Sequence, residues 1–419
     1  MARSACLGRS RSVRSRERRC LGGRGTVAWL ASLGVAMALR ILVAVAGGLL
    51  YLGVLWSVLA SLVVPRSHRS VLVHVVDRVV AAVYGLLTRP LGDWERHDRV
   101  LASQGAVEIA GLLLVWVVLV LLAFSALLAP VVPGPGAAVS EAAQALFTLG
   151  VKGGAPGWAV AVDAVAAFTG LVVVALQIAY LPTLYNAYNR RETQVTLLAA
   201  AAGLPPWGPE ILARTRIGVV RSDLAPLYAE WERWAADVAE SHSTYPVLLR
   251  FRSPQPYSSW LVGLVAVLDS AAMHLALDPS SAPMEARLCL RMGFTCLREL
   301  ARAVGIDVDP DPRPDAPVEL RFEEFTVGVE RLAEVGFPME RTASDAWPDF
   351  CGWRVNYEAA ALALAWRLDV VPAPWTGARR RRLPEVPTRR VVNRTPAHPD
   401  GAAPDRSPGS ASTRDDGLQ

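Results

Sequence analysis

The chain has 419 residues, 52% of them hydrophobic, and a net charge of only +5. Its arginines cluster at Arg3 to Arg24, between Arg66 and Arg99 and at Arg379 to Arg382, placements that suit the cytoplasm or its anionic lipid leaflet without implying nucleic acid. Five cysteines (Cys6, Cys20, Cys289, Cys296 and Cys351) form no CxxC pattern and have no histidine at zinc spacing, which argues against a disulfide framework and a metal site. They read as reduced thiols, with Cys289 and Cys296 spaced to share a helix face, and no cofactor is implied.

Residues 1–40 form a basic extension. Thr26 to Leu39 is apolar but too short to span alone, and Arg40 interrupts it. Two explanations are open, a true start at Met37 and a tightly bent first hairpin; the first is favoured. Ile41 to Val64 then runs without a charge to Pro65-Arg66, long enough for the roughly 20 residues a spanning helix needs. Ile109 to Leu128 is a second such run. Trp158 to Leu181 is a third, with one acid at Asp163. Three separate runs are not a cleavable leader.

The loop from Pro65 to Gly105 carries Arg66, Arg69, Arg78, Arg89, Arg96 and Arg99, whereas Ala129 to Gly157 carries only Glu141 and Lys152. By the positive-inside rule the first loop and the C-terminal half face the cytoplasm of a multi-pass cell-membrane protein. Val71 to Leu87 is amphipathic and suits the inner leaflet.

From Arg190 the periodicity predicts helices over Glu192–Ala201, Ala225–Ser241, Ser259–Leu277, Met284–Val304, Phe322–Val335 and Val355–Leu368, with no sustained strand alternation. Beyond Val371, Pro, Arg, Ser, Gly and Asp dominate, a composition too polar to fold alone. The expected fold is therefore an all-α membrane protein with three transmembrane helices, a re-entrant pore loop between the second and third, and a cytoplasmic all-α domain. Its parts are the extension (1–40), the membrane module (41–190), the cytoplasmic domain (191–370) and a disordered tail (371–419).

The segment between the second and third runs holds the chemistry. Ser140 to Leu146 predicts a short helix capped by Ser140, too short to cross a membrane, followed by Phe147-Thr148-Leu149-Gly150 and Val151-Lys152-Gly153-Gly154-Ala155-Pro156. Irregular backbone at membrane depth is tolerated only where protein or a water-filled path surrounds it. Here the sequence resembles the pore module of the potassium channel superfamily, in particular small bacterial two-helix channels with a cytoplasmic extension. Phe147 to Gly150 match the start of the family's filter, and Pro156 falls where a proline commonly follows it. Tyr180-Leu181-Pro182, Tyr185, Tyr188, Arg190-Arg191-Glu192, Glu240 to Pro246 and Arg252-Ser253 extend the likeness.

The resemblance implies a homo-tetrameric pore for monovalent ions, with Thr148, Leu149, Gly150, Val151 and Lys152 at the filter. Asp163, Gly170 and Gln177 are pore-lining candidates on the third span. Val151 stands where the family has Tyr, and Lys152 where it has a second Gly. Four ammonium groups about 10 Å apart at an effective dielectric near 20 repel by roughly 1.7 kcal/mol per pair, which implies altered selectivity. The alternative is a non-conducting membrane-anchored sensor or scaffold that binds a partner through its cytoplasmic helices.

Other constellations lead nowhere comparable. Asp307, Asp309 and Asp311 resemble a calcium loop, but Pro312 takes the turn glycine's place and Val318 the final acid's. His242, without a second histidine at ligand spacing, reads as a structural hydrogen-bonding residue. No nucleophile elbow or phosphate-cradling loop is present, so no enzyme is expected.

Overall fold

The computed structural model describes residues 14–62, 71–150, 157–216, 223–379 and 383–390, with side chains described from residue 33 onward. Among these residues thirteen α-helices follow one another: α1 (Arg14–Leu62), α2 (Val71–Leu87), α3 (Trp94–Leu101), α4 (Gln104–Leu128), α5 (Pro135–Leu146), α6 (Gly157–Ala202), α7 (Gly208–Arg214), α8 (Ala225–Thr244), α9 (Trp260–Leu277), α10 (Met284–Ala303), α11 (Phe322–Glu334), α12 (Ala343–Arg354) and α13 (Glu358–Leu368). Among the described residues there is no strand, only an isolated bridge between Leu204 and Arg389. The all-α expectation holds.

Among the described residues four helical stretches are long and apolar enough to cross a membrane, where the sequence suggested three: Leu33–Leu62, Trp94–Leu128 (α3 with α4), Gly157–Ala202 and Trp260–Leu277. The first three are only 22–28% buried, whereas the fourth, α9, is 100% buried within the protein. A helix apolar on every side needs lipid or protein around it, and α9 has protein.

Two compact units divide the chain, Met1–Val64 with Gly111–Tyr180 and Pro65–Ala110 with Leu181–Gln419. In the first unit α1 and α4 cross closely at Gly47, where a Cβ would lie 2.7 Å from the Ala123 carbonyl oxygen and from the Ala126 methyl. Trp116 Nε1 donates to Ser57 Oγ at 3.1 Å, and the Tyr51 ring packs on Phe124 with centroids 5.0 Å apart. Small residues that let backbones approach, with polar side chains bonding across, are the usual means of holding helices together in lipid.

The second unit is built around α9, which α7, α8, α10, α12 and α13 surround. Ser259 caps α9 by accepting from the Val262 N–H, so the helix starts one residue later than the sequence suggests. Its one acid, Asp269, is neutralised inside the core. Arg354 Nη1 and Tyr357 Oη both donate to Asp269 Oδ1, at 2.6 and 2.5 Å, while Arg354 Nε donates to Glu358 Oε1 at 2.7 Å. Glu358 in turn accepts from the backbone N–H groups of Glu319 and Leu320. Every ionised group in this node has a partner, the condition under which buried charge is tolerated.

Two boundaries differ from the expectation. α6 continues through Pro182 to Ala202, so Glu192 to Ala201 is its last stretch and not a separate helix. The folded unit also runs beyond residue 370. Val371, Ala373, Trp375 and Thr376 are buried, and Leu204 and Arg389 exchange backbone hydrogen bonds of 3.0 and 2.7 Å. Arg379, expected at an anionic leaflet, is buried instead; its guanidinium donates to the carbonyls of Val370, Val371 and Thr376 at 2.7–2.8 Å. Burial lowers its pKa to about 10. Arg380 to Arg382 and residues 391–419 lie outside the described residues.

Candidate functional site

α5 begins earlier than the sequence suggests. Gly134, at φ +92°, turns the chain and Pro135 starts the helix, so Ser140 is an interior residue whose hydroxyl accepts from the Gln144 side-chain amide. Pro suits the first helical turn because its missing N–H would be unpaired there anyway. Ala138, Ala142, Ala145 and Leu146 form the buried face, three of them small enough for close helix packing.

The filter-like residues form the end of this helix. Thr148 adopts a left-handed conformation, φ +56°. Its N–H donates to the Ala145 carbonyl at 3.0 Å, and the Leu149 N–H reaches back to Gln144 at 2.8 Å. This is the left-handed cap that ends many helices, with Thr at the position glycine usually takes. Gly150 follows at φ +126°. Phe147 and Leu149 are exposed. Val151, Lys152 and Pro156 lie outside the described residues.

The C-terminal end of α5 presses on α6. A Cβ on Gly170 would lie 2.2 Å from the Leu146 carbonyl oxygen, so a side chain there would force α5 and α6 apart. Gly170 is thirteen residues past Gly157, about 20 Å along α6 from its start. Leu146 and the start of α6 are thus separated by about that distance along the axis of α6. Beside this contact Thr169 Oγ1 donates to the Val165 carbonyl, which leaves it to accept from Tyr51 Oη at 2.9 Å.

Asp163 and Gly170 lie on one stripe of α6 with the buried Ala159, Ala166 and Val173, and the helical period carries that stripe on to the half-buried Gln177. Asp163 is 1% exposed, and neither carboxylate oxygen has a hydrogen-bond partner among the described residues. A buried polar group is normally paired. The opposite face of α6, with Phe168, Leu171, Val174 and Ile178, is apolar and exposed.

Sequence reasoning missed a set of ion pairs in the second unit that ties α2 and α3 to the C-terminal half. Asp77 on α2 accepts from Arg250 at 2.8 Å and from Arg367 at 3.0 Å. On α3, Asp98 accepts from Arg252 at 2.7 Å, and His97 Nε2 pairs with Asp369 at 2.7 Å. Trp94 Nε1 donates to the Pro256 carbonyl at 2.6 Å. Their signal in the sequence was two arginines in alternate positions, Arg250 and Arg252, and acids in a loop otherwise read for its arginines.

His242 is fully buried, and Arg191 Nη1 meets its Nε2 at 3.0 Å. Burial, together with the Arg191 charge, pushes its pKa well below the usual histidine value, so the ring is neutral. Nε2 then accepts from Arg191 and Nδ1 donates to Ser241 Oγ at 2.9 Å. Arg191 also donates to the carbonyls of Leu248 and Phe251 and to Glu192. The histidine has the structural role expected of it.

No family model, curated protein or solved structure matches this chain.

Proposed function

We propose that the chain is a pore-loop membrane protein in which α1, α4 and α6 cross the bilayer and the segment from α5 to Gly157 dips in and returns. In this reading copies assemble, four by the resemblance to potassium channels, to pass monovalent ions with altered selectivity, and the second unit is cytoplasmic. The observation that carries it is the Leu146 carbonyl against Gly170. A helix of twelve residues, about 18 Å long, ends about 20 Å along a neighbour long enough to span, so α5 stops at mid-membrane depth and the following residues must climb out. The unpartnered Asp163 lies between that depth and the start of α6 and suits attraction of a cation.

The experiment is flux of potassium, sodium and chloride from liposomes holding the full-length protein, with its oligomeric mass measured in detergent. Cation flux from a tetramer is expected. No flux of any ion above protein-free liposomes would count against conduction.

A second reading, the non-conducting anchored sensor or scaffold, draws on the cap at Thr148. There the Leu149 N–H folds back on α5, whereas a potassium filter needs successive carbonyls turned toward one axis. Absence of flux with an intact oligomer would favour it.

A further inference from the structure

α2 has two faces of different character. One is locked into its own unit: Val76, Val80 and Tyr84 are buried, and Asp77 holds Arg250 and Arg367. The other carries Val71, Val75, Val79, Val83 and Leu86, 49–78% exposed, at the spacing that places them along one side of a helix. No acid interrupts this stripe, and the exposed Arg78 and Arg89 lie at its edge and end. An aliphatic row of this length facing water is unusual and marks an interaction surface.

We propose that this stripe seats the helical unit on the anionic face of the lipid bilayer. Chain length decides the occupant. Residues 63–70 alone join Val71 to Leu62, the end of an apolar helix long enough to span. Their reach is at most about 30 Å, which confines the start of α2 to within that distance of the end of α1. At its other end α3 leads within a few residues into the apolar α4. A basic amphipathic helix held at that level buries its apolar side at the headgroup boundary and presents its arginines to anionic lipid. The partner is the bilayer itself, and Asp77 couples it to the cytoplasmic half of the chain. The inference rests on α1 and α4 spanning the membrane, not on conduction.

Single cysteines at 79 (Val79→Cys), at 45 on α1 (Val45→Cys) and at 330 on α11 (Glu330→Cys) test it. They are introduced into the full-length protein with Cys6→Ser and Cys20→Ser, labelled with bimane and reconstituted in phosphatidylglycerol–phosphatidylcholine vesicles containing spin-labelled lipid. Cys289 and Cys296 are buried, and burial raises the Cys351 thiol to about 11, so all three label slowly. Emission at 79 should fall about twofold or more, as at 45, with 330 unchanged. Arg78→Gln with Arg89→Gln should reduce quenching at 79 and not at 45.

Quenching at 45 without quenching at 79 overturns the proposal and leaves the membrane reading standing. Silence at both positions overturns both. A signal at 79 that follows protein density instead of quencher lipid assigns the stripe to a second copy of the chain and also overturns it.

Discussion

The Leu146 carbonyl oxygen occupies the space in which a side chain on Gly170 would have to begin, 2.2 Å from a Cβ built there. The obstacle is backbone, so it cannot rotate away. Gly170→Ala should push α5 off α6 and lower stability by about 1–3 kcal/mol, read as a lower unfolding midpoint in detergent. Flux per folded protein should fall with it. Gly53→Ala, which meets nothing within 4 Å, is the control and should not lower the midpoint. Equal midpoints for the two variants would remove the contact on which the re-entrant reading depends.

Thr148→Gly tests the cap. A threonine at φ +56° costs on the order of 1 kcal/mol relative to glycine, so the substitution should stabilise the first unit by about that amount. It would be seen as a raised unfolding midpoint. A fall would mean that the threonine hydroxyl contributes more than its backbone costs.

His242 makes the second unit sensitive to acid. Its folded pKa is depressed and its unfolded one is ordinary, so the unfolded chain binds the extra proton as pH falls. Stability is present above about pH 6.5 and should be lost on acidification, by up to about 1.4 kcal/mol per pH unit from this residue. Unfolding midpoints at pH 7.5, 6.0 and 5.0 should show that slope, and His242→Gln should flatten it. A slope that survives the substitution unchanged would assign it to other groups.

Removing the Asp269 carboxylate leaves Arg354 buried with less compensation. Asp269→Ala should cost about 3–5 kcal/mol, whereas Asp269→Leu combined with Arg354→Met, which removes that pair and leaves Glu358 to the Glu319 and Leu320 N–H groups, should recover part of the loss. Chemical denaturation of the three proteins compares them. A double variant no better than the single one would show that shape, not charge, governs the node.

How much of this was legible in the sequence depended on the kind of signal. Hydropathy located the apolar helices, because a long run of aliphatic residues has few alternatives. It could not separate α9 from a membrane helix by composition, since burial in protein and burial in lipid ask for the same residues. It missed α3, α7 and α12, short helices that rest on tertiary contacts, and it ended the third run at Leu181, before the Pro182 through which α6 continues. The start of α5 was misjudged for a local reason: Ser140 looked like a cap, but Gly134-Pro135 supplies a better one. The contact at Gly170 and the pairing of Asp77 with Arg250 and Arg367 are long-range and leave no periodic trace.

The nature of α9 bears on how the protein is made. To the machinery that inserts nascent chains, Trp260 to Leu277 offers a fourth stretch of insertable length and hydropathy. Asp269, tenth of its eighteen residues, weighs against insertion by about 2.5–3.5 kcal/mol at a helix centre, while each Leu or Val favours it by only about 0.3–0.6. The acid that Arg354 and Tyr357 neutralise in the finished core thus also helps to keep this segment out of the bilayer during synthesis, before those partners have been translated.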